Sequence, residues 1–132
     1  SRRCLILADG FYEWAVFDGK KRPMYITIPD NRPFAMAGLW DTWRDPSDGR
    51  VIASCTIVTR PACPALDSIH DRMPLILAES DEDLWISNSI LSQSDLNLVS
   101  SRVQTEFEYF PVSKLVNSPR NDSPDLILRH TD

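Results

Sequence analysis

The dipeptide Asp18-Gly19 constrains this chain more than any other feature. It separates the aromatic-rich run Phe11–Phe17 from the apolar run Met24-Tyr25-Ile26-Thr27-Ile28, and both of its residues tolerate the left-handed backbone that a two-residue β-hairpin turn demands. A chain that commits to such a hairpin builds a sheet, and the first half continues in kind. Cys4-Leu5-Ile6-Leu7 comes before it, across the breaker Asp9-Gly10. Phe34–Leu39 and Val51–Val58 come after, set off by Pro29-Asp30-Asn31 and Asp45-Pro46-Ser47-Asp48-Gly49. Five strands joined by short turns predict a meander that curls into a barrel-like sheet.

The second half changes character. Thr59 is placed to cap a short helix through Ala62 to Ile69, with Pro61 tolerated in its first turn. Ser80-Asp81-Glu82-Asp83 reads as a capping box ahead of Leu84, Trp85 and Ile86, and Ser94 opens a second helix carrying Leu96, Leu98 and Val99. Thr105 to Phe110 is again strand-like. The expected class is α+β: a curled mixed β-sheet with a barrel-like core, flanked by short helices, as a single domain over residues 1–132.

At 42% hydrophobic and 25% charged residues the chain is globular in composition rather than disordered. No apolar run approaches the roughly 20 residues that cross a bilayer, and the apolar part of the start is too short for a signal peptide. A soluble, cytoplasmic protein is expected. Cys4, Cys55 and Cys63 are odd in number and lack CxxC spacing, which indicates neither a disulfide framework nor a zinc site, and nothing calls for a metal or a cofactor. The net charge of −5 excludes a basic coat for indiscriminate nucleic-acid binding, yet leaves room for a local positive groove, because several bases fall early and a cluster of acids falls late. Lys20-Lys21-Arg22 itself reads as a solvated hairpin tip.

Chemistry concentrates in Ile69-His70-Asp71-Arg72-Met73-Pro74, where an imidazole, a carboxylate and a guanidinium adjoin on a turn closed by proline. His70 is one of two histidines, and imidazole is the side chain that titrates near neutrality. Glu13 stands out in the first hairpin, where alternation puts it on the face shared by Phe11 and Ala15; a carboxylate among apolar neighbours is an acid/base candidate. The two are remote in sequence, but a curled sheet can bring the second strand to the loop after the fifth. Read without any family, His70 with Asp71 and Arg72 is a loop ion cluster and Glu13 an outward strand residue, since structural pairs share these features. Trp14, Trp40, Trp43 and Trp85 are individually packing residues on the same reading.

Taken together, Arg3–Trp14 with its Gly10-Phe11-Tyr12-Glu13-Trp14 block, Ala37–Trp40, Ser54–Thr59, Ile69–Pro74, Pro111-Val112-Ser113 and Val116-Asn117 closely resemble the SOS-response-associated peptidase (SRAP) family. The blocks occur in the family's order along the whole chain. The resemblance implies a sensor of abasic sites in single-stranded DNA, associated with the nucleoid when bound. It implies that a cysteine at the mature N-terminus forms a Schiff base with the ring-opened sugar through its α-amine and closes a thiazolidine through its thiol, leaving a DNA–protein crosslink. By the same resemblance Glu13 and His70 are the proton-transfer residues, and Trp14, Thr59, Arg72 and Pro74 contact DNA: Trp14 by packing, Arg72 at phosphate, Pro74 as an apolar wall. Family members carry their cysteine segment well ahead of the Gly10–Trp14 block, so residues 1–132 are expected to be the C-terminal portion of the domain and not to crosslink alone. Two competing functions remain: a peptidase with a Cys or Ser nucleophile and His70, against which no nucleophile elbow is present, and a non-covalent module for single-stranded DNA or a protein. Self-association through exposed strand edges is a further expectation.

Overall fold

The computed structural model describes residues 2–130. In chain order the elements are β1 (Arg3–Ala8), β2 (Phe11–Phe17), β3 (Lys20–Thr27), β4 (Phe34–Arg44), β5 (Val51–Ile57), β6 (Thr59–Pro61), β7 (Arg72–Pro74), α1 (Glu82–Ile86), α2 (Gln93–Ser101) and β8 (Glu108–Pro111). The class is α+β, with two three-stranded sheets ordered β1-β4-β5 and β2-β3-β8. Each is antiparallel throughout and neither closes into a barrel. No helix among the described residues is long and apolar enough to cross a membrane.

The chain forms two compact units. The first comprises the chain up to Ala8, Phe34–Arg60 and Pro74–Gln104. Here β4 is the central strand: β1 pairs with Phe34–Leu39 and β5 with Gly38–Arg44. Leu75-Ile76-Leu77 is an extended segment on the stretch of β4 that β5 leaves open, through Ala37 N–H to Leu75 O at 2.8 Å and Leu77 N–H to Ala35 O at 2.9 Å. Leu75 and Leu77 then join Ala37, Trp85, Val99 and Val103 in one apolar core. Arg3 ties β1 to the end of α1, donating to the carbonyls of Trp85, Ser87 (2.7 Å) and Ser89 (2.8 Å), while Trp85 Nε1 donates back to Cys4 O at 3.0 Å. A guanidinium suits this place because the last carbonyls of a short helix have no intrahelical donors. The second helix is capped two residues earlier than Ser94: Ser92 Oγ accepts from Asp95 N–H at 3.2 Å and Asp95 Oδ2 accepts from Ser92 N–H at 2.8 Å. On β5 all seven residues are exposed and none is charged.

The second unit comprises Asp9–Pro33, Pro61–Met73 and the chain from Thr105 onward. Its hairpin forms at Asp18-Gly19 with φ of 49° and 73°, the left-handed pair that a type I′ turn requires. The β2-β3 ladder runs from Phe11↔Ile26 to Phe17↔Lys20, and β8 joins β3 with Met24 opposite Pro111. Ala15, Met24, Ile26, Cys63, Leu66, Ile69 and Met73 make the core, with Phe11 and Phe107 against it. Gly10 is required where it stands, because a Cβ there would collide with the ring of Tyr25. The helix expected from Ala62 to Ile69 does not form. The segment makes successive turns instead, with Leu66 N–H to Cys63 O at 2.9 Å and His70 N–H to Leu66 O at 3.1 Å, because Pro61 and Pro64 remove amide donors and Thr59 lies in β6 rather than at a cap.

Candidate active site

Alternation along β2 sends Phe11, Glu13 and Ala15 to one face. Ala15 is fully buried, and it shares a core cluster with Leu66, Ile69 and Met73 while Phe11 packs on the same cluster. The face of β2 that bears Glu13 therefore abuts the 62–73 segment, whose two ends are clamped by Ala62 N–H donating to Asp71 O at 2.9 Å. Glu13 lies opposite Met24 on β3 and is half-buried.

His70 is held by its own loop. Its Nδ1 accepts the Arg72 backbone N–H at 3.0 Å and lies 3.1 Å from Asp71 Oδ1 and 3.2 Å from Arg72 O. Unprotonated, Nδ1 is satisfied by the amide; protonated, it faces a carboxylate and a carbonyl. The His70 side chain is 45% exposed, so solutes reach it.

The other expected residues are distributed differently. Trp14 alternates to the opposite face of β2 from Glu13, where its Nε1 donates to Asn117 Oδ1 at 2.7 Å. It borders a cavity of about 650 Å³ lined also by Asp9, Tyr12, Asn121, Asp122 and Ile127. The Tyr25 hydroxyl donates to Asp9 Oδ1 at 3.2 Å, and burial together with that carboxylate pushes its pKa up to about 12. Arg72 is exposed on the His70 loop of the second unit. Thr59 and Pro74 belong to the first unit, where Thr59 is exposed and Pro74 is buried. Asn117, which fixes the Trp14 indole, had no chemical signal in the sequence beyond being an amide in a turn.

The three cysteines are free thiols. Cys4 sits in β1 opposite Gly38, and partial burial followed by the nearby Cys55 pushes its thiol up, which suppresses the thiolate a nucleophile would need. Among the described residues no group of three or more His, Cys, Asp or Glu is arranged to hold a metal ion.

Similarity to known proteins adds to this geometry. The family model described as SOS response associated peptidase (SRAP) matches residues 1–119. The chain is 41% identical over 135 residues to the abasic site processing protein YoqW of Bacillus subtilis (strain 168), covering 98% of this chain and 58% of that one. It is 34% identical over 145 residues to the abasic site processing protein HMCES of Xenopus tropicalis, covering 96% of this chain and 43% of that one. A crystal structure of a protein from Bacteroides thetaiotaomicron aligns with a TM-score of 0.83 at 28% identity, over 98% of this chain and 57% of the other. The chain thus spans 58% or less of the length of these relatives.

Proposed function

This chain belongs to the SOS response associated peptidase (SRAP) family, and from that premise we propose that it supplies the proton-transfer part of a protein that binds an abasic site in single-stranded DNA and becomes joined to it. The observation that carries this reading is the packing of the Glu13 face of β2 on the segment ending in His70. The names of the relatives, abasic site processing proteins, supply the substrate class.

In the proposed reaction the α-amine of an N-terminal cysteine adds to the sugar aldehyde, and water leaves as the imine forms. The thiol then adds to the imine carbon and its proton passes to nitrogen, closing a thiazolidine. Each step moves one proton on or off an oxygen, nitrogen or sulfur, and Glu13 with His70 is the acid/base pair for those transfers. Cys4 does not serve as the nucleophile, because its nitrogen is a peptide amide within β1. We assign the reacting cysteine to the part of the relatives' length that this chain does not span, and treat residues 1–132 as the C-terminal portion of the domain. Arg72 is assigned to phosphate, Trp14 to packing against the strand, and Thr59 to a secondary contact. Pro74, being buried, acts by shaping the loop. Self-association through the uncharged β5 edge is a second partner mode we propose, readable by sedimentation at increasing concentration.

The deciding experiment mixes an abasic oligonucleotide with the chain alone and with the chain extended by a relative's N-terminal cysteine segment. The extended protein should give a product that survives denaturant and the chain alone should not. Absence of that product from the extended protein would reject the assignment.

A further inference from the structure

All three lysines of this acidic chain, Lys20, Lys21 and Lys114, line a single cleft of about 370 Å³ in the second unit. Arg22 and His130 line it with them, and among the described residues no Asp or Glu does. In a protein with 19 acidic residues and a net charge of −5, a cleft that gathers every lysine and, among the described residues, no Asp or Glu is a strong local inversion of charge. Among the described residues none of the three lysines is in an ion pair.

The cleft is built by sheet pairing. Lys20, Lys21 and Arg22 open β3, and β8 with the chain after it lies alongside. Val112 N–H donates to Pro23 O at 3.1 Å, which sets Ser113 and Lys114 beside the start of β3. His130 N–H donates to Pro111 O at 2.8 Å, bringing the late chain back to the same wall. Lysine ammonium groups on flexible stems act as point charges for phosphate, and among the described residues no Phe, Tyr or Trp lines the cleft for a base to stack on. The ladder also relates this cleft to the candidate active site of the same unit. Met24 is opposite Glu13, and Lys20 lies four residues along the same strand, roughly 13 Å at 3.3 Å per residue.

We infer that the Lys20–Lys21–Lys114 cleft binds backbone phosphates of a single nucleic-acid strand whose abasic nucleotide lies near Glu13. This deepens the proposed function and rests on it for the identity of the strand. The phosphates make no covalent bond here, and the contribution is sequence-independent.

The test measures binding of a fluorescent oligothymidylate, intact or with one abasic site, to the full chain and to Lys20→Gln/Lys21→Gln/Lys114→Gln across a salt series. Each lost lysine–phosphate contact lowers the slope of log K against log salt by about 0.7, so the triple variant should lose a slope of about 2 on both oligonucleotides. All three side chains are exposed, and an unchanged circular dichroism melt verifies the fold. An unchanged slope, or no binding of either oligonucleotide by the unsubstituted chain, overturns the inference. A slope loss without any preference for the abasic strand keeps the cleft and rejects the abasic-site reading. An abasic preference with an unchanged slope does the reverse. Inorganic pyrophosphate is the third probe: if it binds the cleft as tightly as the oligonucleotide does, the site serves a free anion and the strand assignment is wrong.

Discussion

Trp14 and Asn117 lie 103 positions apart, yet the indole Nε1 of the first donates to the amide oxygen of the second at 2.7 Å. The bond fixes the ring of an aromatic residue that is 37% exposed, so the ring presents one orientation to whatever approaches. Asn117→Ala should leave the fold intact at a cost of about 1 kcal/mol, shift tryptophan emission, and weaken oligonucleotide binding. Emission and binding that match the unsubstituted protein would show that the ring needs no fixing.

Glu13 and His70 are expected to act on protons rather than on affinity. In the extended protein, Glu13→Gln and His70→Ala should each slow formation of the denaturant-resistant product by roughly 100-fold or more, with noncovalent binding of the abasic strand changed little. Equal loss of rate and binding in both variants would move these residues from proton transfer to substrate anchoring.

Alkaline pH should weaken the second unit through Tyr25. Its hydroxyl is held protonated by burial and by Asp9, so its folded value of about 12 exceeds the ordinary tyrosine value of 10.0. The folded state then retains a proton that the unfolded chain releases, and the associated stability is full below pH 10 and lost as pH rises through 12. Denaturant titrations from pH 9 to pH 12 should show this loss in the unsubstituted chain and a smaller one in Tyr25→Phe.

Acid acts on α2 in the opposite sense. Hydrogen bonds from the Ser92 side chain and backbone hold the Asp95 carboxyl below its ordinary value of 3.8. The contribution is present above 3.8 and disappears as pH falls through the lower folded value. Ser92→Ala should cost about 1 kcal/mol at neutral pH, measured by urea melts, and should flatten the acid dependence.

Gly38 tests the first unit. A Cβ at this position would lie 2.8 Å from Cys4 Sγ and 2.9 Å from Ile6 Cδ1, so Gly38→Ala must displace β1 side chains. A loss of about 1–3 kcal/mol is expected, and an added Cys4→Ala should recover part of it because one of the two obstructing atoms is removed. Thermal melts of the single and double variants separate these outcomes.

Much of this molecule was legible from local chemistry. Asp18-Gly19 gave the hairpin because its two residues carry the backbone the turn needs, and the apolar runs around it became β1 to β5 with their expected order. Turns rather than the expected helix precede His70 because two prolines, Pro61 and Pro64, each withhold a donor, and that outweighs the local cap and apolar spacing. The side of β2 occupied by Glu13 followed from its period of two, and that same period separates Trp14 from it. The lysine cleft was not legible at all. Lys20-Lys21-Arg22 looked like a tip in water because Lys114 and His130 reach it only through the β3–β8 pairing, which no local signal announces.

The unbroken β2–β3 register has a geometric consequence. A ladder with fixed rungs is a ruler: the carboxylate at one mark and the cations at another cannot change their spacing without breaking rungs between them. Inserting two residues into each arm of the hairpin, between Glu13 and Val16 and between Lys21 and Met24, would lengthen that ruler by roughly 7 Å while preserving which side chains face which way. Such a protein would also draw Lys20 and Lys21 away from Lys114, which β8 holds beside Pro23 and Met24, and so would weaken its grip on the strand as well as miss the lesion.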